Sequence, residues 1–223
     1  MMQDIVEGTN HGKEALPVTM MSSPRNLALD PVVLRHAVAA RYGSVAVDPT
    51  ATFPFSVGRT YAEAVGYPPA VLDALPTSAV DAFTGVTYLP GWMELVPGQR
   101  VVDLGCGAGV DTLIAAERVG QDGVVAAIDL APEMVELTRR NVQTAGVPNV
   151  EVHHGAVEAL PLPDAVADVV MANGVFNLAP EKERALTEAL RVLKPGGSFI
   201  AAEIVLTHDV PFAERNTLDD WFR

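Results

Sequence analysis

The chain has 223 residues, 49% of them apolar, with 28 acidic against 15 basic side chains and a formal net charge of −13. That is enough chain to bury one sizeable core, and the acidic excess works against any partner held by phosphate neutralisation, so no nucleic-acid partner is expected; the densest basic cluster is only Arg139 and Arg140. The single cysteine, Cys106, excludes an internal disulfide framework and fits a reducing compartment, and no apolar run reaches the roughly 20 residues that span a bilayer, so no membrane partner is expected.

Residues 1–28 mix Gly, Ser, Pro and charge without a period, as a flexible tail does. Their first 15 residues lack the basic start and apolar centre of a secretory leader, so a cytoplasmic location is expected. Asp30-Pro31 sets an N-cap before a proline in the first turn, and PVVLRHAVAARYG predicts a helix over 31–43, stopped at Gly43. Residues 44–66 read as loop, and short helices are predicted at 69–75 and 78–84. Residues 29–97 therefore read as an N-terminal helical cap ahead of a regular domain over 98–223.

Within that domain RVVDL is an apolar strand, and GVDTLIAAERVG a helix closed by Gly120. GVVAAIDL is the second strand, followed by the helix PEMVELTRRNVQTAG and the short strand VEVHH. VADVVMAN, the helix PEKERALTEALRVL and the strand GGSFIAAEIVL complete the pattern. Apolar strands alternating with amphipathic helices predict an α/β fold with a doubly wound parallel sheet.

Ligands of such sheets bind beyond the carboxyl ends of the strands. The stretch VVDLGCGAGVDTL, residues 101–113, sits at such an end, with glycines at 105, 107 and 109. A dinucleotide turn is spaced G-x-G-x-x-G, and its sixth position here is Val110; no Gly-Lys-Ser/Thr follows, which rules out a P-loop. Asp103 before the turn and Asp111 after it suit an ammonium or sulfonium better than a pyrophosphate. Asp129 ends the second strand 24 residues after Gly105, where an acid accepts hydrogen bonds from both ribose hydroxyls. The combination calls for an adenosine-like nucleoside with a cationic tail that carries no phosphate, which is the shape of S-adenosylmethionine. A glycine turn of this kind also occurs in tight strand–helix links that hold nothing.

As an ordered set over about residues 98–204, VVDLGCGAG, AIDL, LPLPD, ADVVMAN and LKPGG resemble the class I S-adenosylmethionine-dependent methyltransferases. That resemblance implies a Rossmann-like sheet, with Asp103 and the backbone of Gly105, Cys106, Gly107 and Gly109 at the methionine end of the cofactor. It implies that Asp129 takes the ribose hydroxyls and that Leu130 and Met134 line the adenine. The segment at Ala156 and Val157 would meet the adenine edge, and Asn173 would close the pocket. GAGVDTLIAAERVG, APEMVELTRRNVQTAGVPNVEV, EALPLPD and NGVFNLAPEKERAL, with RYG, GYPPAVLDALP and FTGV before them, are similar to the bacterial arsenite methyltransferases. This implies that Tyr42 packs on the cofactor; the alternative is a helix-end aromatic at the surface. A small-molecule acceptor is implied, and no metal set is expected.

Three departures qualify the resemblance. Trivalent arsenic needs several thiolates, whereas the one thiol, Cys106, lies inside the glycine turn as a packing residue, and Gly174 stands where those enzymes carry a cysteine. Residues 44–66 hold no counterpart of their cysteine-bearing segment, so arsenite is not expected as substrate by their mechanism. Where the family places an acid that accepts from the adenine amino group, this chain has Ala156, a loss of about 1 kcal/mol if nothing replaces it. After Ile204 only 19 residues follow, too few for the last two strands of the methyltransferase sheet. An exposed fifth-strand edge is then expected, covered in a homodimer or by a part of a longer protein.

No catalytic residue is assigned. His153 and His154 read as strand-end residues, and His36 on the first helix is the better remaining base. The alternative reading is a degenerate module that binds S-adenosylmethionine without chemistry, or a truncated methyltransferase; a nicotinamide-dependent oxidoreductase is a distant third.

Overall fold

The computed structural model describes residues 30–205, so the expectations for the tail 1–28 and for residues 206–223 lie outside it. Five strands, β1 (Arg100–Leu104), β2 (Val124–Asp129), β3 (Val150–His154), β4 (Ala167–Asn173) and β5 (Leu193–Ala202), form one sheet in the order β3-β2-β1-β4-β5. Every neighbouring pair is parallel. Three of the four connections between consecutive strands run through helices, α5 (Val110–Val119), α6 (Pro132–Ala145) and α7 (Lys182–Val192), while residues 155–166 join β3 to β4 without one. The predicted doubly wound, Rossmann-like sheet is what the chain forms.

Alternation along the strands divides the core. Val102, Leu104, Val170 and Ala172 face α7 and pack with its Ala185, Ala189 and Val192. Val101, Val125, Val169 and Met171 face the other way, onto Ala115, Ala116 and Val119 of α5. Because a strand turns successive side chains to opposite faces, Asp103 shares the α5 face with Val101, at the carboxyl end of the strand. β5 bonds to β4 on one side, and its other edge has no strand partner among the described residues.

Before β1 come α1 (Pro31–Val47), α2 (Arg59–Ala64), α3 (Pro69–Asp73), α4 (Thr77–Asp81) and a 3-10 turn, Leu89–Trp92. They do not stand apart from the sheet: Ala62, Tyr67, Val80 and Phe83 share a core cluster with Val110, Leu113 and Ile114 of α5. Asp30 caps α1 as expected, its carboxylate accepting from the Val32 amide at 2.7 Å.

Several boundaries differ from expectation for identifiable reasons. Gly43 does not stop α1, which continues to Val47 and ends before Asp48-Pro49, where the proline disfavours a further helical residue. The glycine faces the side chain of Glu133 on α6, whose carboxylate would have to swing aside for a Cβ, 2.5 Å from Oε2. Residues 44–66 are not all loop: they hold the end of α1 and the whole of α2. Helix α7 begins at Lys182 and not at Pro180, because Lys182 Nζ folds back onto the carbonyls of Phe176, Asn177 and Ala179. Strand β5 begins at Leu193, three residues earlier than expected, through a register irregularity opposite Ala167 and Val169. It also ends sooner, because Glu203 leaves the strand to accept from the amides of Val175, Phe176 and Asn177.

Candidate functional site

Between β1 and α5 the chain turns at Gly105, Gly107 and Gly109, all with positive φ (68°, 53° and 91°). At Gly105 a Cβ would meet Val175 Cγ2 at 2.6 Å; at Gly107 it would meet nothing within 4 Å, because the position opens onto a cavity. The turn is pinned from two sides. The Cys106 amide donates to Ile128 O at 3.0 Å and the Gly107 amide to Asp129 Oδ2 at 2.8 Å. From α6, Thr138 Oγ1 donates to Gly107 O at 2.5 Å and Asn141 Nδ2 to Ala108 O at 2.8 Å. The Cys106 thiol is buried within this turn, and burial, reinforced by Asp129 and Asp103, pushes its pKa well up.

The cavity beside Gly107 encloses about 700 Å³, counting the space open to solvent. Its walls are largely apolar: Leu130, Ala131 and Met134 after β2, Val157 after β3, and Val38 and Tyr42 from α1. Helix α1 lies over it because Leu34 and Val38 bury themselves with Leu130 and Leu178. The Tyr42 ring stacks on Phe55 at 5.1 Å between centroids and 7° between planes. Burial first, then Asp129, raises the Tyr42 pKa, which keeps the hydroxyl protonated. Asp129 accepts from two amides, Gly107 at Oδ2 and Ala131 at Oδ1, both at 2.8 Å. Each oxygen keeps a second lone pair for a ligand. Burial raises the Asp129 pKa and those amide bonds oppose the rise.

A second cavity of about 380 Å³ adjoins the first, and the two share Thr84, Gly105, Gly107 and Asn173. It holds two buried carboxylates. Thr112 Oγ1 donates to Asp103 Oδ2 at 2.5 Å. Tyr67 OH donates to Asp111 Oδ1 at 2.5 Å and Asn173 Nδ2 to Asp111 Oδ2 at 2.8 Å. Burial, with the neighbouring Asp111, pushes the Asp103 pKa up to about 8. For Asp111 burial is again the main cause, but the bonds from Tyr67 and Asn173 limit its rise to about 6. Asn173 also accepts from the Val86 amide at 2.8 Å and donates to Thr87 O at 2.9 Å, which holds the segment before β1 against the end of β4.

The sequence-predicted residues are thus divided between two adjoining spaces. Tyr42, Asp129, Leu130, Met134 and Val157 line the larger, and Asp103 and Cys106 the smaller. Gly105, Gly107 and Asn173 line both. Gly109 lines neither and instead packs on Thr138, to which a Cβ would come within 3.0 Å; Ala156 also stays outside the linings. The expectation that His36 is the best-placed base is corrected: it lies on the exposed face of α1 and does not line either cavity. His153 and His154 sit on the edge strand β3 and line neither cavity, although His154 Nε2 lies 3.0 Å from the carbonyl of Leu130, a residue lining the larger one.

Arg35, Glu158, Tyr67 and Thr84 belong to the site without having been anticipated. Nothing in local sequence marks Tyr67, which acts 44 positions away on Asp111.

The donor set fits an adenosine-like ligand with a cationic tail. Two carboxylates occupy the narrow end, Asp129 stands by the turn where the spaces meet, and apolar walls at the wide end accept a flat ring. Among the described residues no helix is long and apolar enough to cross a membrane.

Residues 95–223 match a family model described as a methyltransferase domain. The chain is 44% identical over 117 residues to an arsenite methyltransferase of Halobacterium salinarum, covering 52% of this chain and 30% of that protein. It is 35% identical over 105 residues to a demethylmenaquinone methyltransferase of Listeria welshimeri, covering 47% and 44%. A solved structure, an arsenic(III) S-adenosylmethionine methyltransferase from Chlamydomonas reinhardtii, superposes with a TM-score of 0.60 at 33% identity, over 67% of this chain and 54% of that one. The chain spans 30% to 44% of the length of these two curated relatives.

Proposed function

Because the chain belongs to the class I S-adenosylmethionine-dependent methyltransferases and is related to the arsenite methyltransferases, we propose that it transfers a methyl group from that cofactor to a small-molecule acceptor. One observation carries the reading: the two cavities share Thr84, Gly105, Gly107 and Asn173, with Asp103 and Asp111 lining the smaller and Asp129, bonded to the Gly107 amide, lining the larger beside its apolar walls.

In this reading Asp103 and Asp111 hold the amino group of the cofactor, with the glycine turn at its carboxylate. Asp129 accepts from the ribose hydroxyls through the lone pairs its two amide partners leave free. Leu130, Met134 and Val157 bracket the base, and Tyr42, backed by Phe55, keeps water out from the α1 side. When bound, the cofactor supplies an electrophilic methyl group on a charged sulfur. The described residues lining the two cavities include neither His nor Lys. The chain's contribution is alignment and the exclusion of water around the reacting atoms.

The acceptor enters where Thr84 and Asn173 border both cavities, with Gly174 beside them on the larger. Among the described residues Arg35 is the one cation lining either cavity, and it is already paired with Glu158 and Glu181, which favours a neutral or cationic acceptor over a carboxylate or phosphate. Arsenite held by several thiolates is not the proposed acceptor, since Cys106 is the one described thiol and is buried in the turn. Transfer of labelled methyl from S-adenosylmethionine to a panel of neutral, amine and anionic small molecules, with arsenite included, tests this. Label in a neutral or amine acceptor supports the proposal. Label confined to anions or arsenite overturns the acceptor reading, and binding without transfer to any acceptor favours a module that holds the cofactor without chemistry.

A further inference from the structure

Asn173 ends β4 and lines both cavities, yet its side-chain amide has no bonding capacity left for a ligand. Nδ2 donates to Asp111 Oδ2 at 2.8 Å and to Thr87 O at 2.9 Å, which uses its two hydrogens, with Tyr67 OH a further 3.3 Å contact. Oδ1 accepts from the amides of Val86 at 2.8 Å and Thr87 at 3.3 Å, and among the described residues those amides have no other acceptor. The segment is also pressed onto the strand end. A Cβ on Gly85 would meet Asn173 Nδ2 at 2.7 Å, and one on Gly174 would meet Val86 Cγ1 at 3.0 Å.

Residues 84–87 form no helix or strand. Backbone bonds hold Phe83 and Tyr88 on either side, to Gly58 and Val65, and between them, among the described residues, only Asn173 accepts from the segment. The amide of Asn173 depends in turn on Asp111. A carboxylate only accepts, so it draws Nδ2 toward itself and leaves Oδ1 for the two backbone amides. Asp111 takes one protein donor on each oxygen, Tyr67 OH on Oδ1 and Asn173 on Oδ2, and it lines the smaller cavity with a lone pair free on each. Thr84, at the head of the segment, borders both cavities at the acceptor's entry in the proposed function.

We propose that Asn173 is a positioning residue that couples the two ends of the site: a cation on the free lone pairs of Asp111 fixes the Asn173 amide, and the amide fixes residues 84–87. The amino group of the cofactor thereby seats the wall against which the acceptor is placed. This rests on the cofactor reading above and adds to it an order of events, cofactor before acceptor. Asn173 itself bonds to neither ligand; it acts on one through Asp111 and on the other through Thr84 and its neighbours. Such coupling is reciprocal, so the seated segment also strengthens the hold on the amino group.

The test is hydrogen exchange of the full chain at the amides of Val86 and Thr87, free and saturated with S-adenosylhomocysteine or with its analogue carrying hydrogen in place of the α-amino group. A coupling of ordinary size should raise protection of both amides by about fivefold or more with S-adenosylhomocysteine and by less than about twofold with the analogue. Equal protection by the two ligands, or none by S-adenosylhomocysteine, overturns the proposal, and the wild type alone decides this. Calorimetry then reads the reverse direction. Asn173→Ala should weaken S-adenosylhomocysteine by about the same factor and leave the analogue unchanged, because the coupling runs through the amino group. Equal weakening of both ligands means that Asn173 only supports the fold, and it overturns the proposal. A wild type that binds neither ligand overturns the cofactor reading itself, an outcome separate from loss of coupling.

Discussion

Cofactor binding should release a proton, and the affinity should rise with pH. With its pKa pushed up to about 8 by burial and by Asp111, Asp103 is protonated in most molecules at neutral pH. The protonated fraction is about 0.9 at pH 7. An ammonium group placed against Asp103 favours the ionised form, so the proton leaves when the ligand arrives. Below pH 8 each unit of increase should then strengthen binding by up to about tenfold, and the slope should flatten as Asp103 becomes ionised in the free protein. Asp111, at about 6, steepens the dependence only on the acid side of that value. Titration at pH 7 in two buffers of different ionisation enthalpy counts the proton directly: the observed heats should differ by about 0.9 of the difference between the buffers. Asp103→Asn removes the titrating group and should flatten the profile between pH 6 and 8. Buffer-independent heats together with an affinity constant from pH 6 to 8 would refute the reasoning, because they leave Asp103 either already ionised or not in contact with the ligand.

The same raised pKa acts on folding. A carboxyl whose folded pKa lies above its unfolded value loses stability as pH climbs from the unfolded value to the folded one, so the stability of Asp103→Asn relative to wild type should improve steadily from pH 4 to pH 8 in urea denaturation; a constant difference contradicts this. Tyr67→Phe deletes the hydroxyl that donates to Asp111 and should cost about 2 kcal/mol at pH 7, where Asp111 is ionised, and less at pH 5; equal cost at both contradicts the assignment. Glu203→Ala leaves the amides of Val175, Phe176 and Asn177 without their acceptor and should cost about 2 kcal/mol or more, with fast hydrogen exchange at those three positions; unchanged protection there contradicts the role given to Glu203. The outer edge of β5, without a strand partner among the described residues, is proposed to meet a second copy of the chain, so light scattering should give twice the monomer mass, and a monomer at high concentration contradicts that.

Where a structural feature depended on a local period or a turn, it could be read in the sequence. RVVDL is a strand because Val101, Val102 and Leu104 are apolar and both valines are β-branched, and it appears with the expected limits, as does VEVHH. The site was legible wherever one residue was committed to one job by its position at a strand end, as with Asp103, Asp129 and Asn173. It was illegible where the cause is tertiary. Gly43 looks like a stop but is a contact surface for Glu133, and the true stop is the proline two positions beyond Val47. The hydroxyl of Tyr67, the Arg35–Glu158 pair and the clamp made by Glu203 each join segments distant in sequence, with no period or motif to announce them. His36 fails for a related reason: a helix over a cavity presents only one stripe to it, and Arg35, Val38, Ala39 and Tyr42 are that stripe.

The central claim is that the joined cavities hold S-adenosylmethionine with Asp129 at its ribose. Calorimetric titration of the full chain with S-adenosylmethionine and S-adenosylhomocysteine, repeated with Asp129→Ala, tests it most directly. The account predicts micromolar binding of both ligands by the wild type and a loss of about a hundredfold or more in the variant, from two hydrogen bonds to a charged acceptor. No wild-type binding at millimolar ligand, or a folded Asp129→Ala variant that binds as tightly as the wild type, would contradict it.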